Sequence, residues 1–141
     1  MRNEKGFTLI ELVLVIGIIA LLIMAVGLAS GVRESAKIHS AAESVKSLRT
    51  AAESYIASGN MSYEGIAISG LQTAGYLPEG FSPTGSNPWG GDYMVMPNVD
   101  PNKVDISLTQ VSESGAVRLS ALFANSATQT SYSSGTWTVT F

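Results

Sequence analysis

Between Phe7 and Val32 the chain carries a single charge, Glu11, and from Leu12 to Val32 it carries none. At about 1.5 Å of rise per helical residue such a run exceeds the ~30 Å depth of a hydrocarbon core, so the sequence predicts a helix that enters a membrane. Glu11 is the anomaly in that helix. An ionised carboxylate costs about 2.5–3.5 kcal/mol near the bilayer centre and less toward the edge, so a counter-charge is expected. No cation lies between Phe7 and Val32, and Lys5 stands on the far side of Gly6. The counter-charge therefore comes from another molecule or from processing. A cut after Gly6 would create one, the α-amino group of Phe7.

The residues around that point, Lys5-Gly6-Phe7-Thr8-Leu9-Ile10-Glu11-Leu12, closely resemble the processing site of type IV prepilins and the related pseudopilins. The resemblance runs from Met1 to Leu28. It implies that a prepilin peptidase cuts after Gly6 and methylates the new amine of Phe7, and that Glu11 pairs with the amine of a neighbouring subunit. Two plainer readings compete. A cleavable secretory signal has an apolar core of about 7–15 residues ending in an Ala-x-Ala-like site, whereas here the run is longer and its charge lies at the start. A plain membrane anchor would retain Met1 to Gly6. Arg2 and Lys5 precede the apolar run, which by the positive-inside tendency holds this end in the cytoplasm and sends the rest across. The leader is short, as in the type IVa group.

The expected organisation is a leader over residues 1–6, a transmembrane or filament-core helix over 7–32, an amphipathic helix over 33–58 and a head over 59–141. The head divides into a loop region, 59–91, and a sheet with a short helix, 92–141. Roughly a hundred residues outside the membrane segment suffice for one small domain. Removing residues 1–6 takes away Arg2, Glu4 and Lys5 and leaves 6 basic against 10 acidic residues, a balance that suggests no dedicated nucleic-acid site. The chain has no cysteine, so its core must hold without disulfides. Many pilins close a C-terminal loop with a disulfide, and that loop has no counterpart to map here.

Within the apolar helix Gly17, Gly27 and Gly31 stand among alanines, and small residues let helix backbones approach in lipid. Many type IVa pilins carry a proline near the position of Leu28. Its absence predicts a largely continuous helix, with Gly17 and Gly27 as its weaker points. After Val32, Ile38, Ala41, Val45, Leu48, Ala52 and Tyr55 recur at three- and four-residue spacing and predict one apolar seam, stopped by Gly59-Asn60. From Phe7 to Ser58 the helix would be ~78 Å long. His39, the sole histidine, lies beside the seam and reads as a partly exposed helix residue.

In the head, a short helix is expected over Tyr63 to Ala74, stopped at Tyr76-Leu77-Pro78. Asn87-Pro88-Trp89-Gly90-Gly91-Asp92-Tyr93 combines a fixed turn, two permissive glycines and a large apolar ring. It resembles a turn before the first strand in some type IVb-like pilins and major pseudopilins. Trp89, Tyr93 and Trp137 are the expected core or interface anchors; a ligand-stacking role for Trp89 is the alternative. Strands are expected over Asp92 to Met96, Val104 to Thr109 and Thr136 to Phe141, with a short helix over Ser112 to Asn125 through Val117, Leu119, Leu122 and Phe123. The predicted fold is α+β and pilin-like: a long N-terminal helix packed on a small antiparallel sheet of about three strands.

No cysteine cluster, paired histidines, nucleophile elbow or phosphate-binding Gly-Lys-Ser/Thr loop occurs, and the chain is not expected to be an enzyme. Asn98, Asp100, Asn102 and Asp105 begin like a calcium loop but lack its glycine and its final glutamate, where Lys103 and Thr109 stand. The expectation is a solvated turn without a cofactor, although major pseudopilins, which the chain resembles, bind calcium in the head. The resemblance further implies a self-polymer, with the peptidase/methyltransferase, an assembly platform and its ATPase as partners, and lipid around the helix before assembly. It implies a single-pass precursor in the bacterial inner membrane and a cell-surface filament afterwards, of the kind used in adhesion, motility or DNA uptake. A type II secretion pseudopilin and a non-polymerising anchored adhesion domain are the alternatives.

Overall fold

A computed structural model of the chain describes residues 9–141, with the side chains of 25–30 left outside that description. The elements are α1 (Leu9–Ala57), α2 (Ile68–Thr73), β1 (Tyr93–Pro97), β2 (Val104–Leu108), α3 (Glu113–Phe123), β3 (Gln129–Ser133) and β4 (Thr136–Thr140). Two compact units divide the chain, one ending at Ser35 and the other running from Ala36 to Phe141. α1 is one uninterrupted α-helix, as the missing proline predicts.

In the first unit the described apolar side chains from Leu9 to Met24 are all exposed, as is Val32. In the second unit the same helix becomes one-sided. Ile38, Ala41, Ala42, Val45, Leu48, Ala51 and Ala52 are buried, and Tyr55 packs against their edge. The expected seam is present and wider than the sequence pattern indicates, because Ala42 and Ala51 join it. Leu48, between these alanines, is wholly buried. Gly59, at a φ of 108°, ends the helix, and the Asn60 side-chain amide caps the carbonyl of Tyr55 at 2.8 Å.

The sheet has four antiparallel strands in the order β1-β2-β4-β3. β1 pairs with β2 through Val95 and Ile106, and β2 with β4 through Ile106 and Val139. Val95, Val104, Ile106, Leu108, Trp137 and Val139 turn inward and complete one core with the α1 seam, Leu71, Leu77, Leu119 and Phe123. The fourth strand corrects the expectation of about three. β3 is exposed at nearly every position, so it lacks the alternating apolar pattern that marks β2 and β4. A two-residue turn fixes it, with positive φ at both Ser134 (49°) and Gly135 (80°), the geometry that matches strand twist in a hairpin.

Two short helices are also redrawn. α2 begins only at Ile68, because Gly65 at a φ of 78° turns the chain and the Ile66 amide bonds back to Tyr63 at 3.1 Å. Its end is a Schellman-type stop: the amides of Gly75 and Tyr76 reach the carbonyls of Gln72 and Leu71 at 2.9 Å each. α3 starts after Ser112, whose hydroxyl accepts the Gly115 amide at 3.1 Å. Leu119 and Phe123 face the core, whereas Val117 and Leu122 face outward at 66% and 52% exposure, so only part of the expected apolar set on this helix is buried.

Leu48→Ala should cost about 2–5 kcal/mol of stability, because the cavity forms where helix and sheet meet. Val117→Ala, at an exposed site, should stay within about 0.5 kcal/mol. Chemical denaturation of the two variants checks the contrast, and equal midpoints would contradict the packing described.

Candidate functional site

The residues expected to act in processing and assembly lie on α1 and before it. Gly6 and Phe7 fall outside the described residues. Glu11 stands in the first turn of α1, where the helix dipole favours a carboxylate, and it is exposed. A Cβ added at Gly17 or Gly31 would meet nothing within 4 Å, so both positions are open to another helix. Gly27 falls in the stretch 25–30, whose side-chain surroundings lie outside the description. Among the described residues no helix is long and apolar enough to cross a membrane.

In the head the segment from Asn87 to Tyr93 is a clamp between the loop region and the sheet. Its centre is Asn87 rather than Trp89. Asn87 is 4% exposed, and its Oδ1 accepts the amides of Trp89 and Gly91 at 3.0 and 2.9 Å. Its side-chain NH2 donates to the Thr109 carbonyl at 2.7 Å and, at 3.3 Å, to that of Asp92. A Cβ on Gly91 would collide with the backbone oxygen of Thr109, so only glycine permits this approach. The Asp92 amide then bonds Thr109 Oγ1 at 2.8 Å, and Asp92 Oδ1 accepts the amide of Gly85 at 2.7 Å. The signal for Asn87 in the sequence is an Asn two residues before Trp and four before Gly, an Asx-turn arrangement that the bulk of Trp89 masks.

The three expected aromatic anchors do not share a location. Trp137 is fully buried under Phe123, ring centroids 5.8 Å apart, and its indole N–H donates to Ser120 Oγ at 2.9 Å. Tyr93 is buried beside Phe81, centroids 5.5 Å apart. Trp89 is half-buried against the rim of the core. Burial raises the Tyr93 phenol above its ordinary 10.0, with the Ser44 hydroxyl on α1 acting in the opposite sense. Desolvation and the nearby Glu53 likewise raise Tyr63, against Arg49.

Asn98, Asp100, Asn102 and Asp105 lie together at the β1–β2 turn, and their oxygens serve the turn. Asp105 receives the Asn98 side-chain amide on both oxygens, at 3.0 and 2.9 Å, and the Thr140 hydroxyl at 2.6 Å. Asn98 Oδ1 accepts the Asp100 amide at 3.0 Å, and Asp100 Oδ1 that of Asn102 at 3.1 Å. Lys103 reaches Asp100 at 3.6 Å. Among the described residues no three His, Cys, Asp or Glu side chains gather as a metal site. His39 is exposed on α1 and borders a cleft of about 370 Å³ with Ala42, Glu43, Lys46, Arg49, Leu122, Phe123 and Ser126.

A long helix, apolar and exposed at one end and packed through a seam onto a small antiparallel sheet at the other, is a pilin-like arrangement. The prokaryotic N-terminal methylation motif matches residues 1–28, and the PilS N-terminal family matches residues 28–140. The chain belongs to the PilS N-terminal family and is a type IV pilin-like protein. No curated protein and no solved structure matches it. Pilin-type families are families of structural subunits.

The clamp and the buried phenol each give a measurable consequence. Asn87→Ala leaves the amides of Trp89 and Gly91 and the carbonyl of Thr109 without their partner, and should lower stability by about 1–3 kcal/mol per group left buried and unpaired. A loss no larger than that at an exposed asparagine would contradict the hub role. For Tyr93, the unfolded chain releases the phenolic proton near 10.0 while the folded chain holds it to higher pH. That contribution is whole below pH 10.0 and is lost as pH rises through the folded value. Unfolding free energy measured from pH 8 to 12 should therefore decline at the alkaline end, and Tyr93→Phe should flatten the decline.

Proposed function

We propose that this chain is the structural subunit of a type IV pilus. It is made as a single-pass precursor in the bacterial inner membrane with its head outside the cytoplasm. A prepilin peptidase cleaves it after Gly6 and methylates Phe7, and an assembly platform driven by an ATPase stacks it into a surface homopolymer. The observation that carries this reading is the methylation motif over residues 1–28 leading into a helix whose described apolar side chains, Leu9 to Met24, are all exposed. A surface that apolar does not persist in water, and among equivalent helices it is covered.

The exchange of lipid for protein gives little hydrophobic gain, since lipid tails are as apolar as leucine. Close packing at small residues such as Gly17 and Gly31 favours association, and charge fixes which association. Glu11 at the beginning of one helix attracts the Phe7 ammonium of another at low local dielectric, and a shift of register would leave two charges in an apolar bundle. This supports a register role for Glu11.

Replacing Gly6 by alanine or a bulkier residue should abolish trimming, so that mass spectrometry of the native-host protein finds residues 1–6 retained and Phe7 unmethylated; normal trimming in that variant contradicts the cleavage assignment. Glu11→Ala should be trimmed normally yet yield at least about tenfold fewer sheared surface fibres, the scale of one lost interaction of ~1.4 kcal/mol per contact. Abundant normal fibres would remove the register role. Electron microscopy of sheared fibres with peptide identification tests the whole reading: long fibres containing this chain support a pilus, and their absence from native cells overturns it.

A further inference from the structure

The head carries two surfaces of different residues and complementary character. The first is the cleft of about 370 Å³ at α1 and the end of α3, with Ala42, Leu122 and Phe123 as its apolar wall and Lys46 and Arg49 as cations at its rim beside Glu43. Arg49 is held in place: its Nε meets Glu53 at 2.8 Å, a terminal nitrogen donates to the Ser126 carbonyl at 3.4 Å, and the guanidinium lies 4.5 Å from the Phe141 ring centre. Lys46 meets Glu43 at 2.9 Å with both side chains well exposed, a contact that a partner's carboxylate can replace at little cost.

The second surface is a corner formed by two turns. Met61 and Val99 are 98% and 103% exposed, the highest values among the large apolar side chains described. The Tyr63 amide donates to the Pro101 carbonyl at 2.8 Å, which ties the two turns together. Each turn also carries an acid, Glu64 three residues after Met61 and Asp100 next to Val99, the latter in an exposed pair with Lys103 at 3.6 Å, and both turns are held by their own hydrogen bonds. Single exposed apolar residues are ordinary; here two stand on turns that share a hydrogen bond, and each turn carries an acid. Residues 59–141 hold six acids against two bases, Lys103 and Arg118, whereas the cleft lining holds two cations, Lys46 and Arg49, against one acid, Glu43.

We propose that a second copy of this chain seats its Met61–Val99 corner, with Glu64 and Asp100, in the cleft rimmed by Lys46 and Arg49. The proposal rests on the polymer reading above and names a contact between heads within it. Corner and cleft share no residues, so the contact is heterologous: each copy offers a corner to one neighbour and a cleft to another, and the series stays open. The apolar tips supply burial against Leu122 and Phe123, and the charges fix orientation.

The chain has no cysteine, so an introduced pair supplies the only thiols. Full-length protein carrying Met61→Cys and Leu122→Cys, both at exposed positions, is expressed in the native host, and its sheared fibres are treated with a mild oxidant. A ladder of dimers, trimers and longer species on non-reducing gels is expected. Intact fibres that yield only monomer overturn this contact and leave the pilus reading standing, as does a dimer band without higher species. No fibres from the unaltered chain overturn both. Should the cysteine variant form no fibres, charge exchange decides: Lys46→Glu and Glu64→Lys should each lower fibre yield about tenfold, and the two together should restore it to within about threefold. Losses that add without rescue overturn the contact.

Discussion

The head depends on one line of contact, the seam of α1 from Ile38 to Ala52 against the inner face of the sheet. Each large side chain buried there contributes on the order of 1.5–3 kcal/mol relative to exposure, and the wholly buried set includes Val45 and Leu48 on the helix side and Ile106, Trp137 and Val139 on the sheet side. The alternation of strand residues turns the inner face of the sheet into the same core as this seam. Everything else in the head either closes the ends of this sandwich or holds its strands in register.

Those secondary ties are polar, and a chain without cysteine relies on them. Asn87 joins the loop region to the end of β2, Asp105 joins Asn98 to Thr140 across the sheet, and Ser107, 2% exposed, meets Thr138 Oγ1 at 2.8 Å. Phe141 is held on both sides, by paired backbone bonds with Val104 at 3.1 and 3.0 Å and by the Arg49 guanidinium over its ring. Each such tie is worth about a kcal/mol net, but removing one partner leaves a buried polar group exposed to its full desolvation cost. None of the described buried side-chain nitrogens or oxygens lacks a partner. Long-range polar pairing thus performs the cross-linking that a disulfide performs in many small secreted domains.

The elements with strong periodicity were legible. The three- and four-residue spacing of α1, the alternation in β2 and β4 and the Gly59-Asn60 stop each encode local geometry in a few neighbouring residues. β3 was not legible, since Gln129-Thr130-Ser131-Tyr132-Ser133 buries almost nothing and exists as a strand because the Ser134-Gly135 turn folds it back on β4. The turn residues carried the signal and the strand did not. Asn87 was missed for the opposite reason: its chemistry was local, but its key acceptor, the Thr109 carbonyl, lies far along the chain and no sequence pattern announces it.

Glu11 shows a third kind of legibility, in which a residue is informative by contradicting its surroundings. Every other position from Leu9 to Met24 obeys the rule for an apolar helix, so local propensity and pattern agree and say only that a helix forms. Glu11 is exposed in the first turn of α1, where the helix dipole eases an ionised carboxylate without neutralising it. Water can solvate that charge, lipid cannot, and a bundle of like helices can do so only by bringing a cation to that height. Under the processing proposed above, the new amine of Phe7, four residues before the acid in sequence, would supply such a cation. A helix of this composition with alanine at position 11 would sit in lipid more comfortably, and under the proposed stacking it would lose the charge that distinguishes one offset from the next.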